Sequence, residues 1–222
     1  MADEPSNVAP VLESEPVEAA VVFGDRIGLA RAFTTALAEH GEERGLIGPL
    51  ELPRLWNRHV LNSAVIAPLF SGSVADVGSG AGLPGLVLAI ARPDVRWTLI
   101  EPMERRVAWL NEQVEALGLG NVEVVRARAE DWRGGAVFDA VTARAVSALR
   151  TLLPLTAPLV RDGGELILLK GANAAAEIGA AEKQLRKFKV TDARAEVVGE
   201  GVISEPTRVI RARVRASSGL SG

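Results

Sequence analysis

The sequence predicts an α/β fold: a mostly parallel, seven-stranded sheet with helices on both faces, an antiparallel C-terminal hairpin and an N-terminal helical cap. Three observations predict it. From Val74 onward, short apolar runs of strand length alternate with amphipathic runs of helix length. The last two β-rich pieces, "RAEVVGEGV" and "TRVIRARV", follow each other with no helix between them. Two helix-period stretches come before the first strand.

The elements follow in order. "FGDRIGLARAFTTALAEHG" repeats apolar residues at helical spacing, with Gly41 as its stop. "ELPRLWNRHVLNSAVIAPLF" reads as a second amphipathic helix, its Pro53 tolerated in the first turn. Strand, helix, strand, helix then run as "VADVG", "PGLVLAIA", "RWTLIEP" and "ERRVAWLNEQVEALG". "NVEVVRARAE" and "FDAVTARAV" are strands, "ALRTLLPLTAPLV" a helix, "GGELILLKG" a strand and "AAAEIGAAEKQLRKF" a helix before the closing hairpin.

Composition narrows the chemistry. The chain has 222 residues, 48% of them hydrophobic, enough for one α/β domain with a small accessory element. It contains no cysteine, which excludes disulfides, thiolate nucleophiles and cysteine zinc sites. With His40 and His59 its only histidines, no metal site is expected. No apolar stretch reaches membrane-spanning length, and the acidic, proline-bearing N-terminus is the opposite of a signal peptide, so a cytoplasmic protein is expected. The formal charge of −3 argues weakly against nucleic-acid binding. However, Asp3, Glu4, Glu13, Glu15 and Glu18 crowd the leader, and discounting them leaves a mildly basic body.

The stretch "VADVGSGAGLPG" carries the strongest local signal. Its glycines let a backbone turn sharply and approach a ligand, and the loop joins the first strand of the sheet to its first helix, where open α/β sheets bind nucleotides. The next strand ends in Glu101, about twenty residues on, at the ribose-binding offset. A dehydrogenase would suit the same residues. Asp76, inside the strand, instead suits a ligand bearing an amino group and a sulfonium, and "RAED" places Ala129 and Glu130 where an adenine would lie. An acid after each of three successive strands is the pattern of S-adenosylmethionine (SAM)-dependent methyltransferases. No Walker lysine follows the glycines, which argues against an NTPase.

The segments "PRLWNRHVLNSAVIAPL", "VADVGSGAGLPGLVLAIARPD", "LIEPMERRVAWL", "RARAED", "VTARAVSAL" and "LLKG" resemble the bacterial 16S ribosomal RNA guanine-N7 methyltransferases, RsmG or GidB, over roughly residues 20 to 210. The resemblance implies a Rossmann-like class I SAM-dependent methyltransferase. Charge, composition and periodicity divide the chain into an acidic disordered leader (1–17), a helical subdomain (18–71), a methyltransferase domain (72–216) and a flexible tail (217–222). The resemblance also implies that Asp76, Gly78, Ser79, Gly80, Gly82 and Gly85 shape the cofactor loop, that Glu101 holds the ribose hydroxyls, and that Ala129 and Glu130 border the adenine. Arg144, His59 and Lys170 form the expected catalytic group, with Arg144 also near the cofactor. Arg58, Asn62, Lys170 and Arg208 are the expected RNA contacts. Asn57 stands where the family usually has aspartate.

The chemistry so implied asks little of the protein. Guanine N7 carries an in-plane lone pair and no proton, so no general base is required and catalysis comes from alignment in a preorganised site. Arg144 is suited to a planar grip on phosphate or guanine, and Lys170 to a phosphate. Trp56, Trp97, Trp109 and Trp132 could stack a base, although Trp97 and Trp109 sit in apolar elements that suit a core. The implied partner is the small ribosomal subunit or its 16S rRNA, with the protein a monomer. A SAM-dependent enzyme acting on another RNA, a protein or a small molecule is the alternative, because fold does not fix substrate.

Overall fold

The computed structural model describes residues 11–135, 137–144 and 147–215. The first helical stretch is two helices, α1 (Glu18–Phe23) and α2 (Ile27–His40), joined by a 3-10 turn at Gly24–Arg26. Helical spacing puts Ala30, Phe33, Thr34 and Leu37 on the buried face of α2. The helix stops where Gly41 N–H donates to Leu37 O at 2.9 Å.

The second stretch is not the regular helix its periodicity suggests. It is a 3-10 segment (Pro49–Arg54), a π-helix (Leu55–Leu61), a short α3 (Asn62–Ala64) and a closing 3-10 turn (Ala67–Leu69). The reason lies in the spacing of its buried side chains. Leu55 and Val60, and Trp56 and Leu61, are buried in pairs five residues apart, a spacing that an i→i+5 turn stacks on one face. Pro53, lacking an N–H, sits in the 3-10 part just upstream.

The sheet holds the seven expected strands: β1 (Ser73–Val77), β2 (Arg96–Ile100), β3 (Val122–Val125), β4 (Phe138–Arg144), β5 (Val160–Lys170), β6 (Val190–Val198) and β7 (Thr207–Val214). Their order is β3-β2-β1-β4-β5-β7-β6, with β7 antiparallel to both β5 and β6 and the other pairings parallel. The crossovers are α4 (Gly85–Ala91), α5 (Glu104–Ala116), α6 (Leu149–Thr156), and the pair α7 (Ala174–Ala180) and α8 (Glu182–Lys187). Three boundaries differ from expectation. The third strand stops at Val125, and Ala129–Asp131 form a 3-10 turn instead of its end; the late helix breaks at Ala181; and β6 begins at Val190.

Two apolar layers sandwich the sheet. Phe33, Leu37, Leu55 and Trp56 share one cluster with Leu88, Trp97 and Trp109, while Leu152, Leu153 and Leu185 cover the other face with Val141 and Leu166. Buried residues of the 18–71 stretch thus pack into the same apolar cluster as those of β2, α4 and α5. Trp97 and Trp109 are fully buried, which settles them as core; Trp109 Nε1–H also donates to Ala81 O at 3.0 Å, pinning the glycine loop to α5.

Glu13 N–H donates to Leu52 O at 3.0 Å, and Arg31 forms a two-pronged pair with Glu15 at 2.6 and 2.8 Å, so the leader's last residues are tied to the body. Residues 1–10 of the leader and the tail at 217–222 lie outside the described residues.

Candidate active site

The strand order reverses between β1 and β4, and the carboxyl ends of the strands flanking that switch point form the crevice where such sheets take ligands. The glycine loop leaves β1 on one side of it. Gly82 sits at φ +92°, and a Cβ there would collide with Leu86, the second residue of α4. A Cβ at Gly85 would strike both Leu99 and the carboxylate of Asp76. Gly85 N–H instead donates to Asp76 Oδ2 at 3.1 Å, so the β1 carboxylate binds the start of α4.

Asp76 is completely buried, and its Oδ1 has no partner among the described residues. Burial pushes its carboxyl up to about 7, against the Gly85 hydrogen bond and the Arg144 charge, both of which favour ionisation. Ser79 is equally buried, and its hydroxyl donates to Asp76 O at 2.9 Å, so it shapes the loop from within. Glu101 accepts the backbone N–H groups of Gly80 and Met103, each at 3.0 Å. Beside these lies a cleft of about 480 Å³ lined by Val77, Gly78, Ile100, Met103, Ala129 and Glu130. A Cβ on Gly78 would meet no protein atom, so bare backbone faces open space there. An apolar slot with a glycine floor and the acid Glu130 in its lining fits an adenosine, and Arg128 also lines it.

On the other side of the switch point lies a second cleft, of about 910 Å³. Arg58 and His59 of the π-helix, Asn62 of α3, Arg144 at the end of β4, Lys170 at the end of β5 and Arg208 on β7 all line it. Sheet register accounts for much of this: Arg144 lies beside Leu169, and Lys170 pairs with Arg208. All six side chains expected to handle substrate or RNA thus meet in one place.

Their environments differ. Arg144 is mostly buried, and burial lowers its guanidinium to about 10, opposed by the Asp76 carboxylate. Its Nη2 donates to His59 Nδ1 at 2.7 Å, and His59 Nε2 meets Glu51 Oε2 at 2.5 Å. Burial and the Arg144 charge both lower the His59 pKa, against the pull of Glu51. Glu51 is held down to about 2, chiefly by a bond from Arg54.

Lys170 and Asn62, expected to contact RNA, are engaged by the protein itself. The Lys170 side chain is 2% exposed, and its ammonium donates to Ser147 O at 2.5 Å and pairs with Glu177 at 2.8 Å. Glu177 also accepts Leu149 N–H at 2.7 Å, so this ion pair joins β5, α6 and α7. Asn62 donates its amide to Asn57 O and Glu205 O, tying α3 to the loop before β7. Arg58 and Arg208, by contrast, are exposed and form no ion pair or hydrogen bond among the described residues.

Three features carry no signal in the sequence pattern. Glu51 completes the contact to His59 from eight residues upstream. Asn57 receives a carboxylate from far upstream: its backbone N–H donates to Glu13 Oε2 at 3.1 Å and its amide to Glu13 Oε1 at 2.5 Å, while Ser204 Oγ donates to Asn57 Oδ1 at 3.0 Å. Glu177 holds Lys170. Each joins residues from different segments, and the irregular 49–61 backbone hides even the Glu51 spacing.

A family model described as rRNA small subunit methyltransferase G, GidB, matches residues 26–205. The chain belongs to the GidB family. Curated relatives named ribosomal RNA small subunit methyltransferase G include that of Leifsonia xyli, 69% identical over 92% of this chain and 98% of its own. That of Clavibacter michiganensis is 60% identical over 92% and 97%. Among solved structures, TYW2 of M. jannaschii in complex with AdoMet aligns with a TM-score of 0.55 at 18% identity over 73% of this chain and 78% of that one. The N-methyltransferase NodS from Bradyrhizobium japonicum bound to S-adenosyl-L-homocysteine gives 0.54 at 15% identity over 83% and 99%. At these identities the structural likeness shows the fold: a GidB chain built on the Rossmann-like SAM methyltransferase sheet.

Proposed function

We propose that this GidB protein transfers the methyl group of SAM to N7 of a guanine in the 16S rRNA of the small ribosomal subunit. The observation that carries the reading is the pairing of two clefts across one topological switch point: one apolar and glycine-floored, the other lined by arginines. Family membership and the names of the relatives support the same substrate class.

SAM supplies an electrophilic methyl on a sulfonium. The protein's part is to hold and align. Val77, Ile100 and Met103 offer apolar surface to an adenine, Ala129 and Glu130 border it, and Glu101 has lone pairs left for ribose hydroxyls after its two backbone contacts. Asp76 sets the loop through Gly85 and adds negative charge near the crevice. In the second cleft Arg144 presents donors to the guanine. A bidentate grip on O6 and N7 would occupy the lone pair that must attack, so a productive contact is through O6 alone. Arg58 and Arg208, exposed at the cleft rim, neutralise RNA phosphates. No helix among the described residues is long and apolar enough to cross a membrane. The substrate sets the proposed place of action: the cytoplasm, where the protein meets ribosomal particles as a monomer.

The test is transfer of label from SAM to small subunits isolated from cells lacking this protein. Label in 16S rRNA, absent when bare protein or metabolites are the acceptor, is the expected result. SAM binding without transfer to the subunit would favour another substrate.

A further inference from the structure

We infer that Glu51 is a positioning residue that acts through His59 to aim the Arg144 guanidinium at the substrate, with His59 serving as a neutral hydrogen-bond acceptor and not as a base. The inference rests on the proposed rRNA methylation and concerns how the same cleft is kept ready for it.

Donor chemistry fixes the protonation states. A guanidinium has N–H donors and no acceptor. The 2.7 Å contact between Arg144 Nη2 and His59 Nδ1 therefore requires a lone pair on Nδ1. The imidazole must be neutral, with its proton on Nε2. That nitrogen lies 2.5 Å from Glu51 Oε2, a carboxylate that can only accept. Glu51 thus selects the one tautomer able to receive Arg144, as outer carboxylates do for the histidines of metal sites. Arg54, bonded to Glu51, holds the carboxylate ionised and in place.

The arrangement aims Arg144 across elements that share no backbone bond. The 3-10 segment supplies Glu51, the π-helix His59, and the end of β4 Arg144. Arg144 lines the cleft, and only one of its N–H groups is taken by a protein acceptor among the described residues, which leaves the others for O6. A histidine turned to its other tautomer would set an N–H against that guanidinium.

Protonation of His59 has the same effect, placing a cation against a cation. The charged groups facing His59 are Glu51 from the 3-10 segment, Arg144 from β4 and Arg58 from its own π-helix. Asp76 of β1, with its carboxyl raised to about 7, also acts on the Arg144 charge and is a second titrating group at this site. Substitution at Glu51 separates the two. Its charge raises the His59 pKa and has no resolved influence on Asp76, so removing it moves a His59-controlled limb toward lower pH and leaves an Asp76-controlled limb where it was.

The experiment measures single-turnover methyl transfer to undermethylated small subunits from pH 5 to 9, with SAM affinity recorded separately by calorimetry. Glu51→Gln keeps an acceptor for Nε2–H. It should hold near-wild-type transfer at neutral pH while its acid limb shifts to lower pH. Glu51→Ala frees the imidazole and should slow the transfer step roughly 10- to 100-fold with subunit KM and SAM affinity little changed. Wild-type rates in Glu51→Ala, or an acid limb unmoved in Glu51→Gln, would overturn the role of Glu51. A wild-type protein that binds SAM but leaves the subunit unlabelled would overturn the underlying reading of function, and this inference with it.

Discussion

The two clefts differ in what they are made of. On the cofactor side the working parts are backbone: Gly85, Gly80 and Met103 N–H groups gripped by Asp76 and Glu101, with bare glycine facing the slot. On the substrate side they are side chains brought together from five elements, with Arg144 held by His59 and His59 by Glu51. The backbone-built pocket admits no added Cβ at Gly82 or Gly85 but needs few partners. A side-chain-built one depends on every link in the chain that aims it.

The largest expected effect falls on the second kind. Arg144→Ala should lower the transfer step by roughly 10² to 10³, the scale of losing a preorganised donor, measured as label incorporated into 16S rRNA. An effect below tenfold would remove Arg144 from the chemistry and with it the contrast between the clefts.

Glu177→Ala comes next and reads stability, not chemistry. It strands the buried Lys170 ammonium and frees Leu149 N–H, and should cost about 2–4 kcal/mol in urea unfolding. A change within about 0.5 kcal/mol would mean that Lys170 can turn into the cleft after all. For the glycine side, Gly85→Ala should cost about 1–3 kcal/mol and weaken SAM binding, because Leu99 and Asp76 must both yield.

Smaller still, Arg208→Ala and Arg58→Ala should leave stability within about 0.5 kcal/mol and each lower the salt dependence of rRNA-subunit binding by about one unit of slope. Asn57→Asp should cost about 1 kcal/mol, by setting a second carboxylate against Glu13 where an amide now donates. Pairing it with Glu13→Gln should restore most of that loss.

The same contrast explains how much could be read from the sequence. Strand, loop, helix and strand follow local rules of spacing, so the mostly parallel seven-stranded sheet, its closing hairpin and the loop at the β1 end were legible in "VADVGSGAGLPG" and the alternation after it, while the strand order was not. Glu101 was singled out by its offset as a ribose-binding acid, and in the structure its carboxylate also accepts Gly80 N–H of the glycine loop. The residues lining the second cleft were identified largely by resemblance, and their partners were not. Asn57 and Ser204, bonded to each other, stand 147 residues apart, and His59 and Arg144 85 apart; no periodicity encodes such pairs. Residues 49–61 misled for a different reason. Their apolar pattern passes for an ordinary amphipathic helix, and only the five-residue recurrence of Leu55 with Val60 and Trp56 with Leu61 betrays the wider turn. Lys170 was placed correctly at the strand end, but a carboxylate on α7 turned its ammonium inward.

One experiment decides between N7 transfer and its alternatives. Small subunits lacking the modification are incubated with SAM and the protein, and the 16S rRNA is extracted, reduced with borohydride and treated with aniline. N7-methylated guanine loses its aromatic imidazolium under reduction, and aniline then cleaves the chain at that nucleotide. A single new cleavage with wild-type protein, missing with Arg144→Ala, is the predicted result. An intact rRNA carrying label, or label at another atom or molecule, would contradict N7 transfer at this site.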